Sequence, residues 1–150
     1  MDTVTYPDDR VAHFIEQNFI PLRIKIREEP RLAADFGVRW TPNVVLADAD
    51  GRVHERLEGY LPPEDFLANL ALALGKYELD MQQFDRAEHH FEEVAQRHHG
   101  TDAAAEALYW LAVARYKGSH DVGRLKEGWQ HLTREHPNSE WAKRARIPSK

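Results

Sequence analysis

Along residues 1–75, short runs that alternate apolar and polar residues interleave with short helical patterns. Residues 76–146 hold no β-rich run and read as one amphipathic helix after another. In the first stretch, Asp8 and Asp9 are placed to cap a helix running to about Asn18, with Val11, Phe14, Ile15 and Phe19 along one face. Ile20–Ile26, IPLRIKI, alternates apolar and basic residues after Pro21 and predicts a strand. Pro30 opens a short helix through Phe36, which Gly37 ends. Asn43–Ala47 predicts a strand, Asp48 to Gly51 a turn, and Arg52–Glu58 the returning strand of a hairpin. Pro62 and Pro63 then open a helix whose dipole Glu64 and Asp65 favour, with Phe66, Leu67, Leu70, Leu72 and Leu74 as its apolar positions. The order is helix, strand, helix, hairpin, helix. It lacks the opening strand of an open βαβ–ββα domain.

The second stretch repeats itself. An offset of 38 residues lays Phe84 on Val122, Ala87 on Leu125, Phe91 on Trp129 and Val94 on Leu132. Past the turn, Ala104 falls on Ala142 and Ala107 on Ala145. Each copy is an amphipathic helix, a polar turn and the start of another helix, with small residues where helices approach closely. That is the pattern of a helical-hairpin repeat, in which neighbours bury one continuous core.

Composition narrows the function classes. At 150 residues, 42% hydrophobic and 30% charged, the chain has the balance of a globular protein. Its formal charge of −5 comes from interspersed acids and bases with no basic stripe, so no nucleic-acid partner is expected. The chain contains no cysteine, which removes disulfides, thiolate nucleophiles and cysteine metal ligands together. MDTVTYPDDR has neither the basic nor the apolar region of a secretory signal. The most apolar run, Phe66–Leu74, is far shorter than the ~20 residues of a membrane span. A cytoplasmic location and no membrane partner are the expectation.

Residues 1–75 resemble the thioredoxin-like superfamily from its first helix onward. Met1, Asp2, Tyr6, Asp9, Val11, Phe19, Ile20 and Pro21 fit the run that follows the redox motif in bacterial members: M-[DE], an aromatic, D-x-x-V, then an F-[IV]-P strand. Val38-Arg-Trp-Thr-Pro42 resembles the V-x-x-[TIY]-P loop whose proline is cis in the family, and NVVLADADGRV resembles the hairpin after it. The resemblance implies a C-x-x-C pair and a first core strand immediately before Met1, between the strands matching Leu22–Ile26 and Asn43–Ala47. A start assigned at an internal Met is the simplest explanation. Without that strand the sheet must re-pair, recruit a partner chain or stay incomplete, because each unpaired buried backbone group costs ~1–3 kcal/mol. Residues 66–146 resemble tetratricopeptide repeats: Leu74, Gly75, Phe84, Ala87 and Phe91 fit L-G…[YF]-x-x-A-x-x-x-F, and HPNSEWAKRA is similar to a P-x-S-x-x-A repeat ending. The second unit departs, with Leu125 and Trp129 at the A and F positions. The expected architecture is therefore α/β then all-α: an incomplete thioredoxin-like domain at 1–75, then tetratricopeptide-like helical hairpins at 76–150.

Pro42 is the sharpest candidate. Local sequence alone reads it as a trans proline opening a strand; the resemblance makes it a cis-proline that presents backbone to an extended peptide. Trp40 and Thr41 flank it, and either line that peptide groove or, for Trp40, join the core. Nine histidines invite a metal, and His89 and Glu93 have an i, i+4 spacing. Solvated helix faces explain them more cheaply, so no metal and no cofactor is expected. Ser119, His120 and Asp121 are neighbours in sequence and read as an interhelix turn with Asp121 as cap, not as a triad. No catalytic residue is assigned. Among the helical aromatics Phe84, Phe91, Tyr109, Trp110, Tyr116 and Trp129, most are core by spacing. Adjacent Tyr109 and Trp110 are the candidates for anchoring a partner, and only one of them can point inward.

The reading is a thioredoxin-like protein without redox cysteines, not an enzyme as written, that binds a protein or peptide partner through its repeats. The alternative is a thiol–disulfide oxidoreductase whose C-x-x-C lies upstream of Met1. A third option is a homodimer formed through an unpaired sheet edge.

Overall fold

The computed structural model describes residues 1–146. Its elements are α1 (Asp9–Asn18), α2 (Pro30–Asp35), β1 (Asn43–Ala47), β2 (Val53–Glu58), α3 (Pro63–Asp80), α4 (Phe84–Arg97), α5 (Asp102–Ser119), α6 (Val122–Glu135) and α7 (Glu140–Arg144). A small α/β region is thus followed by an all-α region. The chain divides into two compact units, Met1–Leu67 and the residues from Ala68 onward, with the boundary inside α3.

In the first unit, local chemistry sets the helix ends. Asp8 caps α1 by accepting from the N–H groups of Arg10 and Val11 at 2.9 and 3.4 Å. Gly37, at φ +63°, closes α2: its N–H reaches Ala34 O at 2.9 Å and the Val38 N–H reaches Ala33 O at 2.8 Å. The core is small. It holds Val11, Ala33, Phe66 and Leu67, together with Thr5, whose buried hydroxyl donates to Leu61 O at 2.6 Å. Tyr6 meets Phe66 edge-on at 5.8 Å. Of the apolar face expected on α1 only Val11 is buried; Phe14, Ile15 and Phe19 are half-buried.

The strand expected at Ile20–Ile26 does not form. The sheet among the described residues is the antiparallel pair β1–β2 alone. Residues 20–25 carry no regular structure, and Ile20 and Leu22 are 98% and 77% exposed. Alternation gives a strand its two faces but not its hydrogen bonds, which come from a neighbour. With no strand beside it, the IPLRIKI segment stays unpaired, and Lys25 O turns to accept from Glu28 and Glu29 N–H.

The second unit is packed throughout. α5 lies between α4 and α6, and α7 rests on both α5 and α6. Short turns join successive helices, so neighbours run antiparallel. Phe91, Val94 and Ala87 of α4, Leu132 of α6 and Ala142 of α7 are 0% exposed. α5 buries eight residues, six of them alanines, because it has a helix on either side. Two glycines permit the closest approaches. A Cβ at Gly75 would fall 2.6 Å from the Phe91 ring, and one at Gly128 would fall 2.5 Å from Ala112 Cβ. Gly75 therefore does not end a helix; α3 runs past it to Asp80. Asp121 caps α6 through Gly123 N–H at 2.7 Å, and Ser139 caps α7 through Ala142 N–H at 3.0 Å, which explains the serine of HPNSEWA.

Candidate functional site

Each unit presents one feature built beyond the needs of its own core. In the first it is the loop at 37–42. Gly37 turns the chain out of α2, and Pro42 leads into β1 through a cis Thr41–Pro42 bond. The Gly59 N–H, at φ +88°, donates to Pro42 O at 2.8 Å and fixes the loop to the end of β2. The Arg56 guanidinium joins the two ends of the loop, donating to Phe36 O and, at 2.9 Å, to Asn43 Oδ1. Trp40 stands 74% exposed, outside the core, and Thr41 beside it is exposed. A large apolar ring is thus held on a braced loop. Arg56 was invisible as a bracing residue in the sequence, where it reads as one more charge in an alternating strand.

In the second unit the feature is an aromatic cluster from three helices. Tyr109 of α5 stacks on Trp129 of α6 at 5.1 Å and 18°, and meets Trp141 of α7 at 5.1 Å. Trp110 meets Tyr109 edge-on at 5.4 Å and Trp141 at 6.1 Å. All four rings are half-buried. The two adjacent residues do different things. Tyr109 is packed between two tryptophans. Trp110 lies at the edge, and its indole Nε1 donates to Glu106 Oε1 at 3.1 Å. Glu106 also takes Lys76 Nζ at 2.6 Å. The Arg144 guanidinium sits 4.6 Å from the centre of the Trp141 ring, a cation–π contact, and pairs with Glu140 at 2.5 Å. The indole N–H of Trp129 is buried with no acceptor among the described residues. Rings at the edge of a helical array, flanked by two carboxylates and two cations, can take an apolar side chain of a bound segment and align its backbone. Trp141 and Arg144 were missed in the sequence because the 38-residue offset sets Trp141 against Ala103, so the repeat gives no hint of a ring there.

The remaining polar candidates serve the fold. Ser119 Oγ donates to Arg115 O at 2.7 Å and accepts from Asp121 N–H at 3.2 Å, which ties the turn between α5 and α6. Glu93 pairs with Arg97 at 3.0 Å, and among the described residues no three His, Cys, Asp or Glu gather as metal ligands. Burial holds the His90 imidazole below its ordinary value. No described helix is long and apolar enough to cross a membrane.

The class these features define is an α/β unit with a braced proline loop and no cysteine, continued by helical hairpins. Residues 1–74 match the family model described as a thioredoxin-like domain, and the first half of the chain is thioredoxin-like. No curated protein and no solved structure matches the chain.

Proposed function

We propose that this thioredoxin-like protein works without redox cysteines as a protein-interaction module, and that it holds a segment of a protein partner at the edge of its tetratricopeptide-like helical half. The observation that supports this reading is the contrast between Tyr109 and Trp110. One ring is consumed by packing; the other is held by Glu106 at the edge of a half-buried aromatic cluster. Tryptophan in such a setting is the commonest kind of anchor in a protein interface. With no cysteine, the chain has no nucleophile for thiol–disulfide exchange. The cytoplasm is the compartment proposed.

A displayed library of short linear peptides, selected on the full chain, tests the reading. Selected peptides should lose at least about tenfold in affinity for Trp110→Ala, equivalent to ~1.4 kcal/mol. Trp40→Ala should leave their binding unchanged. Peptides indifferent to Trp110 would end the proposal. Insulin reduction by the chain should stay at the buffer rate.

A second reading places thiol–disulfide chemistry in a longer form of the protein. Its support is the exposed Trp40–Thr41 loop, which Arg56 braces although no sulfur chemistry uses it here. An in-frame W-C-x-x-C codon run continuous with MDTVTY would favour it, and an in-frame stop there would end it.

A further inference from the structure

Charge divides the aromatic cluster of the helical unit. Tyr109 is its hub, with its ring centre 5.1 Å from Trp129, 5.1 Å from Trp141 and 5.4 Å from Trp110. Rings at these separations touch, so an electron vacancy made on one can pass to the others. The indoles sit in different fields. Trp110 gives its Nε1–H to Glu106 Oε1 at 3.1 Å, and the Glu106 side chain is only 17% exposed. Trp141 lies under the Arg144 guanidinium, 4.6 Å from the ring centre. Loss of an electron leaves an indole positively charged and turns its N–H into an acid. A carboxylate on that N–H therefore favours the oxidised ring, and a guanidinium over the ring opposes it, by the rule that moves any charged equilibrium. Glu140, paired with Arg144 at 2.5 Å, softens that opposition but is itself 70% exposed. Lys76 works against Glu106, since its ammonium lies 2.6 Å from the same oxygen and competes for it.

We infer that Trp110, with Glu106 as its proton acceptor, is the site at which one-electron oxidation of the helical unit comes to rest. The oxidant is a radical or an oxidised metal complex in solution, and it takes one electron from a ring of the cluster. The vacancy passes through Tyr109 to Trp110, and the Nε1 proton of Trp110 moves to Glu106 Oε1. A neutral indolyl radical then faces a neutral carboxylic acid, with the electron on the reduced oxidant and the proton on Glu106. A one-electron reductant reverses the step, and the proton returns from Glu106 to the indole. The site is set by a hydrogen bond and not by exposure, and it needs no bound partner segment.

Flash photolysis of the full chain, with tris(bipyridine)ruthenium(III) as the oxidant, tests this. A nitroso spin trap bonds to the ring carbon of the radical, and peptide mass spectrometry locates it. Trp110 should carry more of the trap than Trp40, although Trp40 is 74% exposed and Trp110 half-buried. Trp110→Phe should remove that adduct. Glu106→Gln keeps an acceptor of the same shape but no base, and the share at Trp110 should fall at least about threefold, within the reach of one charge removed at contact in a partly buried site. Lys76→Met removes the competing ammonium and should raise that share. Far-UV circular dichroism checks that each variant folds. If Glu106→Gln unfolds, Lys76→Met reads the same charge with the opposite sign. Transient absorbance, which separates the neutral indolyl radical from the radical cation, reads the proton step without the trap: in a Trp40→Phe background the neutral form should dominate, and Glu106→Gln should shift it toward the cation. Trapping at Trp40 in preference to Trp110, or a share at Trp110 unmoved by the variants at Glu106 and Lys76, overturns the inference.

Discussion

The two units solve the problem of burial to different degrees. In the helical unit, Ala87, Phe91, Val94, Ala104, Ala107, Ala112, Ala114, Leu132 and Ala142 are all 0% exposed. In the thioredoxin-like unit, the apolar centre of β1, Val44 to Leu46, is only half-buried, and Ile20 and Leu22 stand in solvent. Average hydrophobicity does not explain the contrast, because IPLRIKI is as apolar as most of α4. The difference lies in where the partner surface comes from. A helix makes its own backbone bonds and needs only an apolar face beside it, which the next helix in sequence supplies. A strand needs a second strand for its hydrogen bonds, and that strand is often distant in sequence. A repeat can therefore complete itself locally, and a two-stranded sheet cannot.

The sharpest way to break this comparison is to delete a ring from the packed unit. Phe91→Ala empties a fully buried site against Gly75 and should cost about 3–5 kcal/mol. The same truncation at half-buried Phe14 should cost only about 1 kcal/mol. Urea unfolding followed by circular dichroism reads both, and equal losses would mean that the first unit is packed as tightly as the second.

A smaller effect comes from the hairpin turn of the first unit, which polar bonds hold. Asp48 Oδ1 accepts from Asp50 and Arg52 N–H at 3.0 Å each, and Oδ2 lies 2.8 Å from His54 Nε2. The bond with His54, then the Arg52 and Asp50 amides, hold the Asp48 carboxyl below the ordinary aspartate value against its partial desolvation. A lowered folded value means that the stabilisation is complete above the ordinary aspartate value. It is lost as pH falls through the lowered one. Amide chemical shifts of residues 48–54 should move in that acid range, and Asp48→Asn should abolish the movement. Titration at the ordinary aspartate value would contradict it.

The smallest effect sharpens the contrast. Replacing Ile20 and Leu22 together by serine should change stability by no more than about 0.5 kcal/mol, because neither side chain is buried. A loss above that in urea unfolding would show the segment to be packed.

Most of the elements were legible in the residues, because their causes are local. Asp8, Asp121 and Ser139 are caps, Gly37 and Gly51 take positive φ at turns, and the 38-residue offset recurs in α4–α5 and α6–α7. The candidate site was only partly legible. Trp40 and Trp110 stood out as large rings in suggestive places, yet whether each was core or surface depended on neighbours from other elements. Arg56, Glu106, Trp141 and Arg144 look like ordinary residues until folding brings them to a loop or a ring.

The sequence by itself determined where helices start and stop, that no thiol chemistry is available, and that the second half repeats, since these rest on residue identity and short-range spacing. Tertiary structure alone decided that IPLRIKI forms no strand, that Tyr109 packs between two tryptophans while Trp110 bonds Glu106, and that Arg56 braces the proline loop. Each of those outcomes depends on which distant backbone or ring comes alongside, and pairing and burial are properties of neighbours in space.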